Sequence, residues 1–259
     1  MCIKFGGGVM NYIIKHGRNF IAISNKIEAD RHKHWLIQMF LSSQKEINIE
    51  VKGQHVTCSA ILVNINIPHT FNTEGKPHFT MLIDPTTKLG RAMKILLMKQ
   101  SFYIFPHEKT VAMQQKFQSI LIQRCHNDIQ SFIQTIISQF SYSNLNNFDD
   151  RVNKVLNLLD RYVHKGEFRQ INYFSKKANL SESRLGHLFK EETDIPLKSY
   201  IVLRKLQKAY ELIFNGENIT TAALSAGFDS PSHLAYTNKM MTGMSATSII
   251  KDSEFLKVF

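Results

Sequence analysis

The spacing of apolar residues divides this chain of 259 residues into three regions, predicting strands first, then longer helices and then short ones. From Arg18 to about Asp84 the apolar runs are short and rich in β-branched residues, and two of them alternate with period two: Glu46 to Val51 and Leu62 to Ile67. This pattern predicts strands at 20–24, 36–41, 46–51, 55–58, 61–67 and 79–83, with turns at Gly53 and across 72–77. Many short strands joined by turns suggest a small antiparallel barrel or sandwich. After Pro85 the period becomes helical. A basic amphipathic helix is predicted over 87–100, and Pro106 then breaks the chain. One long helix or two follow over 109–140, with Phe117, Ile120, Leu121, Ile129, Phe132, Ile133, Ile136 and Ile137 in an apolar stripe. That stripe can pack on the preceding strands or serve a two-helix dimer interface. The Ser/Asn-rich stretch 141–147 is the best domain boundary. Asp149 and Asp150 then open a helix to Val163, acidic at its start as the helix dipole favours.

The last region consists of short helices and contains an internal repeat. Ala178 to Lys190 and Ala226 to Lys239 each place a small residue at a helix end. A short turn, capping hydroxyls and a new amphipathic helix follow in both copies. This is how a helix-turn-helix looks in sequence. Predicted helices at 171–178 and 182–192 form one module, and 219–226 with a helix ending near Thr242 forms the other. A helix over 197–214, stopped by Asn215-Gly216, joins them, and 246–257 closes the chain. In the first module Leu185, Leu188 and Phe189 are expected to face inward. Ser181 caps the helix, leaving Glu182, Ser183, Arg184, His187 and Lys190 for DNA. In the second, Leu234 and Met241 face inward. Ser230, with Pro231 at the first helical position, caps the helix, while Ser232, His233, Tyr236, Thr237 and Lys239 face out. Arg184 suits a bidentate guanine contact, whereas the lysines and capping hydroxyls suit phosphates.

Charge adds less than its size suggests. The net formal charge is +11, which favours an acidic partner. Yet residues 165–259 hold 13 Lys+Arg against 10 Asp+Glu, so most of the excess lies before the repeat. Three widely spaced cysteines, Cys2, Cys58 and Cys125, form neither a disulfide framework nor a C-x-x-C metal site and suit a reducing cytoplasm. No apolar run reaches membrane-span length, and no signal-peptide core is present. Gly6 to Met10 reads as a leader, with Met10 an alternative start to Met1.

The region 171–250 resembles the DNA-binding domain of the AraC/XylS family of bacterial transcription regulators. The matching residues are Ala178, Ser181, Leu185, Leu188-Phe189-Lys190, Tyr200, Leu206 and Ala209, then Gly227-Phe228, Ser232, Lys239 and Thr242-Gly243. The resemblance implies sequence-specific binding to double-stranded promoter DNA and activation through RNA polymerase. It also implies a cupin-like β-barrel at the N-terminus followed by dimerisation helices. The expected fold is therefore α+β: a cupin-like effector barrel over 1–85, helices of a homodimer over 86–145, and an all-α DNA-binding domain over 146–259. The sequence departs from the family at Asn238, where a buried phenylalanine is usual, at Ala246 for proline, at Asp194 for glycine and at Lys205 for arginine.

His32, His34 and His69 have the look of a cupin metal site, since alternate strand residues share a face. No acid follows between Trp35 and Leu41, so no metal is assigned. These histidines, with Trp35 and Gln38, are read as surface or pocket-lining groups able to touch a small-molecule effector. Cys125 and His126 are neighbours on a helix and cannot form a nucleophile–base pair. No catalytic residue and no cofactor is expected. A cupin-type metal-dependent enzyme would leave the repeat unexplained, and a non-specific architectural DNA binder would not need two helices on a rigid connector. The expected protein is a cytoplasmic transcription regulator with no membrane role.

Overall fold

A computed structural model describes residues 10–44, 46–123, 126–140, 145–165, 170–251 and 253–256. Cys2, Cys125, the glycine leader and part of the expected boundary at 141–147 lie outside the described residues. The chain divides into two compact units, residues 1–145 with 239–259, and residues 146–238.

The first unit is built on two sheets. One has seven strands in the order β10-β7-β4-β9-β2-β1-β11: β1 Asn11–His16, β2 Asn19–Ser24, β4 Ile37–Ser42, β7 Ala60–Val63, β9 His78–Ile83, β10 Phe102–Ile104 and β11 Glu254–Leu256. The other has four, β3-β8-β5-β6: β3 Glu28–His32, β5 Ile47–Val51, β6 Gln54–Cys58 and β8 His69–Asn72. Both sheets keep free edges, so the expected closed barrel is replaced by an open sandwich. Three helices, α1 Lys88–Leu97, α2 His107–Gln123 and α3 His126–Ser138, complete a layered arrangement.

The seven-stranded sheet is covered on both faces. Ile37, Met39 and Leu41 of β4 share one core with Met93 of α1, Phe117 of α2 and Phe132 of α3. Phe40, between them in sequence, belongs to a second core with Ile49, Val51 and Phe71 of the smaller sheet. Alternation thus persists in β4, but both faces meet apolar neighbours, which is why the strand reads as a continuous apolar run. Much of the apolar stripe of α2 and α3 is consumed by its own unit: Phe117, Ile120, Ile129, Phe132, Ile133 and Ile136 are all buried. The chain turns tightly before α1. Thr87 caps the helix by accepting from the Gly90 amide, and a Cβ on Gly90 would lie 2.2 Å from the Asp84 carbonyl oxygen. Only glycine fits there.

The expected final helix at 246–257 divides. A short helix, α10 Ala246–Ile250, is followed by β11, which pairs in parallel with β1. The edge of a sheet offered unpaired backbone groups, and the chain end satisfies them.

The second unit contains α4 Asp150–Lys165, α5 Ile171–Lys177, α6 Glu182–Thr193, α7 Leu197–Phe214, α8 Ile219–Ser225 and the first part of α9 Pro231–Thr242. Val152, Val155, Leu156, Leu159, Leu185, Phe189, Tyr200 and Leu203 supply buried side chains from α4, α6 and α7. Arg204 of α7, almost fully buried, donates to Asp160 of α4 at 2.6 Å. Among the described residues no helix is long and apolar enough to cross a membrane.

Candidate nucleic-acid interface

Each short helix of the repeat starts at a cap its sequence encodes. Ser181 accepts from the Arg184 amide at the start of α6, and Ser230 accepts from the His233 amide at the start of α9. At the other end of α6, Asp194 is left-handed with φ 63°. A short polar side chain bears that conformation better than most.

In α6, Leu185, Leu188 and Phe189 are buried, while Glu182, Ser183, Arg184, His187 and Lys190 are exposed. One face is therefore committed to the core and the other is a continuous polar strip. In α9, Leu234 is buried and Ser232, His233 and Tyr236 are exposed, with Met241 only partly covered. Thr237 does not face out as expected: it is buried beside the fully buried Asn238. Its position follows from helical spacing, since Leu234 lies three residues before it on the same side. Tyr210 of α7 donates to the Asn238 side-chain oxygen, and burial pushes the phenol pKa up. A buried polar pair thus stands where the resemblance led us to expect an apolar contact. Lys205 of α7 donates to the Gly227 carbonyl at 2.6 Å, tying the linker helix to the turn of the second module. Sequence reasoning missed Tyr210, because a tyrosine in an amphipathic helix gives no sign of its partner.

Two exposed side chains of α9 already have partners. His233 lies 3.1 Å from Asp229, and Lys239 lies 2.6 Å from Asp30 within the first unit. The Lys239 ammonium holds the Asp30 carboxyl below its ordinary range. The Asp30 amide also donates to the Gly243 carbonyl at 3.1 Å.

The residues read as effector contacts come together as a buried polar cluster, so they are not surface groups. His32 ends β3 and His69, its direct cross-strand partner, begins β8. His34 follows in the connection to β4, which supplies Gln38, and Trp35 is only half-buried. One ring nitrogen from each of His32, His34 and His69 lies within 4.8 Å of the others. Burial is the main cause that lowers all three pKa values, His32 to about 4, so the rings are neutral at pH 7. A separate cleft of about 290 Å³ opens in the first unit among Ser43, Lys76, His78, Gln118 and Ile122, and contains none of the expected effector residues.

Comparison with known proteins fits the helical geometry. Residues 174–252 match the family model of a helix-turn-helix domain. Residues 174–252 thus form a helix-turn-helix domain, and the chain is similar to transcription regulators of the AraC/XylS family. The Msm operon regulatory protein of Streptococcus mutans is 23% identical over 128 residues, 48% of this chain and 46% of that protein. The matched stretch therefore spans about half the length of that relative. ToxT from Vibrio cholerae resembles the chain in fold, with a TM-score of 0.55 at 12% identity over 90% of this chain and 97% of that one. An unsaturated fatty acid-bound structure of wild-type ToxT from Vibrio cholerae strain SCE256 gives 0.56 at 11% identity, covering 94% of each chain.

Proposed function

We propose that this chain is a sequence-specific transcription regulator that activates bacterial promoters. The observation that carries the reading is the repeated module. Two capped helices, α6 and α9, expose short polar side chains and rise from scaffolds joined by α7. Such helices enter major grooves, and two on one connector suit successive grooves about 34 Å apart. Arg184 is assigned to a base edge. Lys190, Ser181 and Ser230 are assigned to phosphates, with Ser183, His187, Ser232 and Tyr236 at the groove. Lys239 joins them only after leaving Asp30, and Thr237 supports the helix from within.

The remaining parts of the proposal follow the family. The region 1–85 is an effector domain of cupin-like descent, 86–145 contributes to a homodimer, and 146–259 binds DNA and meets RNA polymerase in the cytoplasm. A small-molecule effector is supported by the fold likeness to a protein seen with an unsaturated fatty acid and by the cleft beside Lys76 and His78. The buried stripe of α2 and α3 leaves Ile122, 79% exposed, as a large apolar side chain of that region available to a second copy.

The test is a genome-wide binding footprint, followed by affinity of the purified protein for the best site and for scrambled DNA. A preference for the footprint sequence that shrinks in Arg184→Ala is expected. Equal affinity for both DNAs, or no effect of the substitution, would overturn the reading.

A further inference from the structure

We infer that His32, His34 and His69, with Gln38 as a fourth donor, form a binding site for one divalent transition-metal ion of the zinc type. The inference does not rest on DNA binding. It starts from the direction of the ring protons. His32 Nδ1 lies 2.8 Å from the Asp30 carbonyl oxygen, His34 Nδ1 lies 2.9 Å from that of Leu36, and His69 Nδ1 lies 2.8 Å from that of Ile67. A carbonyl oxygen only accepts, so each Nδ1 carries the proton and each Nε2 holds a lone pair. The Leu36 amide also approaches His34 Nδ1, but at 3.3 Å it is the longer contact. A backbone carbonyl that fixes the tautomer from behind is the usual support of a metal-binding histidine.

The lone pairs then have nothing to receive. Gln38 Oε1 is 2.8 Å from His34 Nε2 and 2.9 Å from His69 Nε2, so three acceptors converge without a hydrogen among them. Two arrangements resolve this. A cation can occupy the point of convergence, or the Gln38 amide can turn round and donate both its hydrogens to the rings. The third histidine favours the cation. Its ring centroid lies 4.3 Å from that of His69, and an amide with two hydrogens already given to His34 and His69 has none left for it.

The donor set selects the ion. Three imidazoles suit zinc, copper, nickel or ferrous iron, while magnesium and calcium require mostly oxygen. Three histidines suffice to hold zinc, and an amide oxygen can take the fourth tetrahedral position. Tetrahedral bonds near 2.1 Å place donor atoms ~3.4 Å apart, so nitrogens within 4.8 Å need shifts of only about 1 Å. The site also lies beneath an attachment: a Cβ on Gly243 would come within 2.3 Å of the Asp30 oxygen and 2.8 Å of His32 Nδ1. Fixing the His32 ring therefore fixes the backbone on which residues after α9 rest.

The full-length protein, stripped with chelator, is titrated with Co²⁺ followed by visible absorption, and Zn²⁺ is used as competitor. One equivalent of Co²⁺ per chain with the intense bands of a four-coordinate ion, displaced by one equivalent of Zn²⁺, is expected. His34→Ala and His69→Ala should each weaken binding by about 100-fold, whereas His55→Ala, at an exposed position, should not. Should the alanine variants fail to fold, Gln38→Glu provides the second arm: a carboxylate there should tighten binding about 10-fold or more. Uptake of less than one equivalent, uptake equal in the histidine variants, or a folded Gln38→Glu protein with no gain would overturn the inference and leave the turned amide as the closure of the cluster.

Discussion

Asn238 is a fully buried amide at the heart of the second module, and Tyr210 answers it across the core. A buried amide loses more when a partner is removed than the bond contributes while intact. Tyr210→Phe should therefore lower stability by about 1–3 kcal/mol, and Asn238→Leu should do the same by stranding the phenol. The double variant should recover much of that loss, since no polar atom of the pair remains. Denaturant melts of the four proteins give the coupling, and strictly additive losses would show that the two side chains do not act together. Cys58 offers a second residue-scale expectation. Burial, with a smaller push from Glu46, raises its thiol to about 12. At about pH 8 the native protein should leave Cys58 unmodified by an alkylating reagent, because the thiolate is the reactive form. Mass mapping before and after denaturation measures this, and rapid native modification would contradict the buried setting.

Helices α2 and α3 show which features of an element are legible in sequence. The apolar stripe at Phe117, Phe132, Ile133 and Ile136 is plain from spacing alone, but spacing does not name the surface it meets. Here it is the seven-stranded sheet, with Phe79 against Phe132 at 5.1 Å between ring centroids. Phe132→Ala should thus cost about 3–5 kcal/mol in thermal or denaturant unfolding. If the stripe were instead a subunit interface, the substitution would shift the monomer–dimer equilibrium and leave monomer stability unchanged, which sedimentation and melts together distinguish. The helices of the second unit were readable because their caps and stops are chemical: Ser181, Ser230 and Asn215-Gly216 sit at observed boundaries. Strands β3 and β8 were not. Glu28-Ala29-Asp30-Arg31-His32 carries no alternation of apolar residues, because β3 is an edge strand whose exposed side chains are polar. For the same reason the histidine cluster was visible only as scattered residues; the pairing of His32 with His69 needed the register of an unpredicted strand pair. Strand β1 was legible in principle, since Tyr12, Ile13 and Ile14 form a short β-prone apolar run in which Tyr12 and Ile14 face the core and Ile13 is only half-buried.

The whole molecule divides its chain in an order that the sequence does not suggest, because residues 239–259 group with residues 1–145. Strand β11 pairs with β1 through Glu254 to Leu256, so a chain ending at Lys251 should expose the β1 edge. Hydrogen exchange should quicken across Asn11–His16 and stay unchanged in α4 to α7; uniform quickening would mean that the two units unfold together. Charge is distributed with a similar disregard for the repeat. Most of the +11 lies before residue 165, in the part that carries α1, while the repeat region has 13 basic and 10 acidic residues. If affinity for DNA came from bulk charge, lysines anywhere on the surface would contribute to its salt dependence. If it comes from α6 and α9, only the contacting residues do so. Lys190→Ala should therefore reduce the slope of log K against log salt by about 1, with affinity falling alike on specific and scrambled DNA. Lys88→Ala with Lys94→Ala on α1 should leave both slope and affinity unchanged. A slope that responds to α1 and ignores Lys190 would make the basic sheet unit, not the repeated helices, the surface that meets DNA.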